Sequence, residues 1–424
     1  MSDFSRSSAG VAVMVAVAFA LLPLSTDLYL ASLPGLRRDF GIGVSEAQLT
    51  LSAFVVAFAL SQLVHGPLSD RYGRRPVLLA GLVIYFVASV AAIFAPSIGW
   101  LVAARTLQAV GACAGAVVGR AIVRDIYGVA GSARMLAVIT AGMSLAPIFG
   151  PMVGSALEVA FGWRGAFAAL SAIGGLLLAA VAARLTESNP HPDPRATEVA
   201  GLLARYRAIL ANRRFLGCTG VVAFTYAGIF SFVSGSSFVL IEVLGVPPRD
   251  FGFVYGATVV GYVSTNLVVA RIALRAGIDR LLVVGTALAV AGGAAMAVLA
   301  YARVESVAAF VAPMFVFFMG AGFNMPAAMA GAIGPFPKTA GAASALLGFG
   351  QMTVGGLAGF AVGRLHDGTT LPASVSIALA ALAAAASFYA LALPGRAARC
   401  ASAARASDAQ GAEDAEHRRD SGSR

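Results

Sequence analysis

One aspartate stands within the first apolar run of this chain. Residues 11–33 are hydrophobic almost throughout, and Asp27 lies among them; Glu158 and Glu242, by contrast, fall at the ends of apolar runs. A carboxylate in hydrocarbon is costly and usually faces a cavity or a partner. For any carboxylate, burial favours the neutral form and a neighbouring cation the charged form, so modest changes of surroundings load or release a proton. That is the chemistry of a proton carrier; a carboxylate permanently paired for packing is the plainer alternative. Arg105, inside the fourth apolar run, is the natural counter-charge, unless it simply reaches the outer interface. A second concentration of charge is Gly66-Pro-Leu-Ser-Asp70-Arg71-Tyr-Gly73-Arg74-Arg75, between the apolar runs 47–64 and 76–95. Three arginines in five residues do not lie in hydrocarbon, so this is a loop at one membrane face. A ligand pocket in such a chain is mainly apolar with few polar groups. Tyr29, Phe54, Phe58, Gln62, Phe224, Tyr226, Phe230, Tyr255, Asn324 and Gln351 are the candidates for it, against the alternative that they are packed or lipid-facing.

The elements that must position these residues follow from composition. Of 424 residues, 59% are hydrophobic and 12% charged, where soluble domains carry about 25% charge. Mean hydropathy is +0.84. This is a polytopic membrane protein, and at about 20 residues per helical span the length holds about a dozen. Spans are expected at 11–33, 47–64, 76–95, 100–123, 132–157 and 163–183, then at 215–241, 249–272, 280–301, 306–330, 340–363 and 373–393. Residues 34–45 are expected to be a loop. The longest interior polar segment divides the chain into a six-helix bundle over 1–184, a cytoplasmic linker over 185–214, a second six-helix bundle over 215–394 and a disordered cytoplasmic tail over 395–424. A weak internal repeat agrees: in Ala270-Arg-Ile-Ala-Leu-Arg275-Ala-Gly277-Ile-Asp-Arg280, aligning Arg275 with Arg71 also aligns Gly277 with Gly73.

Most of the 30 basic residues fall in segments on the side of the 66–75 loop, the linker and both termini. By the positive-inside rule that side is cytoplasmic, and the number of spans is even. The net charge of +10 is spread over loops, which argues against nucleic acid. Cys113, Cys218 and Cys400 are odd in number and lack metal-ligand spacing, so neither a disulfide framework nor a metal site is implied. His65 lies near an inner span end and could titrate, although a lone histidine is more often structural, and His191 has no metal-ligand partner nearby. The chain lacks a G-x-x-x-x-G-K-[ST] loop, and no catalytic constellation is visible, so an enzyme or an ATP-driven pump is not expected.

The 66–75 loop, lying between the second and third spans, resembles the signature loop of the major facilitator superfamily of transporters. Arg105-Thr-Leu-Gln108-Ala-Val-Gly111 resembles the family's fourth-span motif, with Ala109 where glycine is usual, and Gly150-Pro151-Met-Val-Gly154-Ser155 resembles its antiporter motif, with Ser155 for the last glycine. Thr26-Asp27-Leu-Tyr29-Leu-Ala-Ser-Leu-Pro34 is similar to the opening of the Bcr/CflA drug-resistance branch, with Ala31 in place of a proline. Arg120-Ala-Ile-Val-Arg124-Asp125, Trp163-Arg164 and the run from Gly341 to Gln351 extend the likeness across nearly all spans.

The resemblance implies an all-α fold of twelve spans in two six-helix pseudo-repeats, with a substrate site between them near mid-membrane. It implies proton-coupled export of drugs by alternating access, in the bacterial inner membrane, by a monomer with both termini cytoplasmic and no cofactor beyond the proton gradient. Asp27 and Arg105 would couple protons; Pro147, Gly150, Pro151 and Gly154 would form a kinked, bare helix face. Asp70 would approach the start of span eleven, near Ala340 and Gly341, and with Gly66, Arg71, Gly73, Arg74 and Arg75 close the inner gate. A metabolite exporter or importer and a non-transporting receptor or scaffold are the alternatives. Partners are then small molecules, protons and lipid.

Overall fold

The structure, a computed structural model, describes residues 2–143, 146–189, 193–194 and 196–394. The expected tail at 395–424 and His191 lie outside the described residues. The described residues are almost wholly helical. Apolar side chains all round a helix demand a hydrocarbon or protein environment, and a helix satisfies its own backbone polar groups there. The first stretch holds α1 (Ser2–Asp27), α2 (Leu33–Phe40), α3 (Val44–Tyr72), α4 (Arg74–Ile93), α5 (Ile98–Met143), α6 (Ala146–Phe161) and α7 (Trp163–Arg184). After α8 (Val199–Leu210) come α9 (Arg213–Ser237), α10 (Pro248–Ala276), α11 (Ile278–Tyr301), α12 (Val307–Ile333), α13 (Ala340–Leu365) and α14 (Leu371–Ser387). Among the described residues, 11 helices are long and apolar enough to cross a membrane, and Ala146–Phe161 is a shorter apolar one.

Two local readings are corrected. The first span does not run unbroken to residue 33: α1 ends at Asp27, a 3-10 turn covers Leu30–Ser32, and α2 follows, where a loop was expected. Pro34 sits in the first turn of α2, where its missing N–H costs nothing. The fourth span does not stop at 123 but runs on to a break at Gly128, whose φ is 65°, beyond which α5 resumes as a second helical stretch. Within the expected fifth span, the described residues 132–143 and 146–157 are helical. The segment 185–214 contains α8, with Ile209 buried among residues of α9, α11 and α12.

The glycines aligned by the internal repeat occupy equivalent turns. Gly73 joins α3 to α4 with φ 98° and ψ 157°, and Gly277 joins α10 to α11 with φ 76° and ψ 153°. Both fall in a region that L side chains avoid. In the first half α1, α3 and α4 pack on α5, and α4 on α7; in the second, α11 packs on α12 and α13 on α9. Two long pairings cross between the halves, α3 with α13 and α6 with α10.

Candidate functional site

Asp27 is the last residue of α1, so the chain leaves the helix where the carboxylate is presented. The residue is 5% exposed. Its Oδ1 accepts a hydrogen bond from Thr26 Oγ1 at 3.1 Å, and its Oδ2 has no partner among the described residues. The bare face of α6 seats it: a Cβ added at Gly150 would lie 2.7 Å from the Asp27 Cβ. A side chain there would push the acid away, which gives the glycine a packing reason independent of any motif.

The acid lines a cavity of about 400 Å³ bounded by helices of both halves. Phe58, Gln62, Pro147, Tyr226, Phe230, Tyr255 and Gln351 line it too, so these expected residues are brought together around Asp27. A second cavity, of about 520 Å³, shares Gln62, Arg120 and Ser344 with the first and continues past Gly66, Asp70 and Arg74 to α8. Together they make a passage from Asp27 toward the end of the molecule bearing the 66–75 loop. Asp70 and Gly341 lie on its walls.

Other expected residues are elsewhere. Tyr29 and Phe54 line neither cavity; with Phe167 they surround Arg105, whose guanidinium carbon lies 5.2, 4.3 and 5.8 Å from the three ring centroids. Phe224 lines neither cavity, and Asn324 is buried, donating from Nδ2 to Thr225 Oγ1 at 3.3 Å. The expected ion pair of Arg105 with Asp27 is not formed. Arg105 is fully buried and donates to Gln108 Oε1 at 2.6 Å, and Gln108 in turn donates to Ser89 Oγ at 2.8 Å. Cation–π contact and this hydrogen-bonded chain replace the carboxylate as its partners.

The 66–75 loop is tied to its own half and to the linker. Arg74 bridges Asp70 at 2.5 Å and Asp125 at 3.0 Å and donates to Ser69 Oγ at 2.7 Å. Arg71 donates to Thr197 Oγ1, and Arg75 to the Ala182 carbonyl. The Asp70 carbonyl accepts from the Asp193 N–H at 3.0 Å and from Asn189 Nδ2 at 3.2 Å. Glu187 caps α4, taking the backbone N–H of Arg74 at 2.9 Å and of Arg75 at 3.1 Å as well as those of Ser188 and Asn189. Partial burial pushes its carboxyl up, but these four N–H groups outweigh it and hold the pKa below the usual glutamate value.

The opposite end is closed by contacts between halves. Arg37 pairs with Glu242 at 2.5 Å, Gln48 Nε2 donates to the Ser234 carbonyl at 2.9 Å, and the Gly252 N–H donates to Ser155 Oγ at 3.2 Å. Gly252 on α10 rests directly on the backbone of Pro151 and Met152 on α6. Among the described residues no three His, Cys, Asp or Glu side chains converge on a metal position.

Sequence reasoning missed several cavity residues, notably Phe19, Tyr262, Phe318 and Arg120. Arg120, at the inner end of the expected fourth span, counts there only toward the cytoplasmic charge; α5 carries it where it faces both cavities. A usable signal existed: Arg120 follows Ala116 by one turn on a run still apolar to residue 123.

Residues 15–360 match the model of the Major Facilitator Superfamily. A chloramphenicol resistance protein of Pseudomonas aeruginosa is 30% identical over 87% of this chain and 88% of its own. A bicyclomycin resistance protein homolog of Haemophilus influenzae is 26% identical over 88% of this chain and 93% of its own. Among solved structures, a bacterial homolog of the human lysosomal transporter Spinster covers 93% of this chain and 97% of its own with a TM-score of 0.69 and 16% identity, a likeness of fold alone. Matched over most of its length, and built of membrane-crossing helices around a central cavity, the chain is a multi-pass membrane protein that belongs to the Major Facilitator Superfamily of transporters.

Proposed function

We propose that this protein exports small amphipathic molecules in exchange for protons, by alternating access of a single site between two bundles, 1–184 and 215–394, joined by the linker 185–214. The observation that carries the reading is Asp27: a buried acid, lining a cavity of about 400 Å³, with one oxygen left without a partner among the described residues. A residue so costly to bury without full satisfaction is the group for which proton and cargo compete. The names of the relatives from Pseudomonas aeruginosa and Haemophilus influenzae point to drugs as cargo.

The described conformation suits the half of the cycle in which the passage is open on the loop side. We assign that side to the cytoplasm of a bacterial inner membrane, with both termini there. Arg74 holds Asp70 within its own half in this state. Closure would bring Asp70 toward the start of α13, whose exposed N–H groups and dipole favour a carboxylate. A monomer suffices, because both walls of the passage come from one chain, and the proton gradient supplies the driving force without a cofactor.

The test is expression in a pump-deficient host, comparing susceptibility to phenicols and bicyclomycin with the parent chain and Asp27→Asn. Protection by the parent that is lost in the folded variant is expected, as is its loss when the pH gradient is collapsed. Equal protection by both forms refutes Asp27 as the proton carrier.

A further inference from the structure

We propose that the cavity is shaped for a dipolar amphipath: a molecule with a cationic or donor end beside Asp27, an anionic or acceptor end beside Arg120, and an aromatic body between. The inference rests on the transport reading and deepens it by naming the class of molecule carried.

Arg120 is the second charge on the wall of Asp27's cavity. Its Nε donates to the Ala116 carbonyl at 3.0 Å, and its Nη1 makes only a long contact, 3.4 Å, to Ser344 Oγ across the passage on α13. Its guanidinium lies 5.9 Å from the Phe19 ring centroid. No carboxylate among the described residues pairs with it. A guanidinium is always charged and offers five N–H groups in a fork that matches a carboxylate or similar planar acceptor. With one good and one long hydrogen bond to the protein and no carboxylate beside it among the described residues, this cation keeps donor capacity for a ligand in a mainly apolar cavity. Asp27 is in the mirror condition, with one idle acceptor.

The two charges line one space without meeting. Phe19 and Asp27 are eight residues apart on α1, about 12 Å of helix rise, and Arg120 sits against Phe19. Between the poles the wall is aromatic: Phe58, Tyr226, Phe230 and Tyr255. A ligand with opposite ends about that far apart would complete both poles at once and fill the apolar middle.

The signs of the charges also select this class. A purely cationic ligand would satisfy Asp27 but be repelled by Arg120. A purely anionic one would be drawn to Arg120 and bind best when Asp27 carries its proton, which couples the two in the same direction. A dipolar ligand needs Asp27 ionised and leaves when the proton arrives, which gives exchange.

A matched set of rigid probes tests this on the purified full-length protein in lipid nanodiscs, by titration calorimetry. The dipolar probe is 4'-(aminomethyl)biphenyl-4-carboxylic acid; biphenyl-4-ylmethylamine lacks the acid, and 4'-methylbiphenyl-4-carboxylic acid lacks the amine. The dipolar probe should bind tightest. Arg120→Gln should weaken the two acid-bearing probes by about tenfold or more, while the amine-only probe, relieved of repulsion, binds at least as tightly as to the parent and thereby reports an intact fold. Arg120→Lys should keep most of the preference, and Asp27→Asn should weaken only the amine-bearing pair. No binding of the dipolar probe, equal weakening of all three by Arg120→Gln, or no change at all overturns the proposal. Drug protection that depends on Asp27 would still stand in any of those cases, so the two readings fail separately.

Discussion

Replacing Gly252 by alanine should pry open the closed end of the molecule. A Cβ built on Gly252 falls 2.5 Å from the Met152 Cα and 2.6 Å from both the Met152 nitrogen and the Pro151 carbonyl oxygen, whereas ordinary contact begins at 3.4 Å. All three atoms are backbone, so no rotamer change relieves the clash, and α6 and α10 must part by about 0.9 Å, the difference between 3.4 and 2.5 Å. Overpacking of this kind costs about 1–3 kcal/mol. Because Gly252 and its neighbours belong to different halves, that cost falls on the closed arrangement and not on the folding of either half. The closed-to-open ratio at this end should therefore drop by about 5- to 150-fold. Ser52, 3% exposed on the α3 face that meets α13, serves as reporter when changed to cysteine. Gly341→Cys reports the other end, where a Cβ meets nothing within 4 Å. With a membrane-impermeant maleimide, Gly252→Ala should speed labelling of Ser52→Cys several-fold or more and slow labelling of Gly341→Cys, with the parent chain setting the background. An unchanged rate at Ser52→Cys refutes the assignment of this contact as part of the gate.

Two further outcomes are expected. The Arg37–Glu242 pair is partly exposed, at 37% and 27% for the two side chains, so Glu242→Gln should favour opening of that end by less than about 1 kcal/mol and lose its effect at high salt; the charge swap of both residues should restore parent labelling at Ser52→Cys. Glu187→Ala should cost about 0.5–2 kcal/mol of thermal stability by uncapping α4. Since the folded carboxyl is held below its ordinary value of 4.5, that stability is fully present above 4.5 and vanishes as pH falls through the depressed value. Melting curves of parent and variant should thus converge only in acid, and parallel pH profiles would show that the cap is not the cause.

Hydropathy alone made the class and most spans legible, because a run of apolar residues long enough to cross a bilayer has few other uses. Asp27 was legible for the same reason in reverse: a charge is conspicuous where everything else is apolar. What the sequence hid was direction. Arg120 and Arg105 both sit in α5, yet one faces the passage and the other is wrapped by Tyr29, Phe54 and Phe167. Opposite sign suggested pairing Arg105 with Asp27, but three rings and Gln108 surround it instead, with Nε and Nη2 lacking a hydrogen-bond partner among the described residues, and such a nest depends on side chains from α3 and α7 that no local pattern connects. The break after Asp27 was masked by an apolar run that continues through Leu30 and Leu33 with no glycine to announce a turn. Of the aromatic candidates, those on α9 and α10 that reach the cavity, Tyr226, Phe230 and Tyr255, differ from Phe224 only in which way the helix turns them.

The strap between the 66–75 loop and the linker limits how the molecule can move. Thr197 is anchored to the first half through Arg71, while α8, beginning at Val199, rests on α13 and buries Ile209 in the second half's core. Only Glu198 lies between the anchor and the helix, so the leash of two residue steps reaches about 7 Å at full stretch. Any larger swing at this end must first snap the Arg71 tie or drag α8 along, so the covalent connection itself acts as a mechanical stop on the stroke.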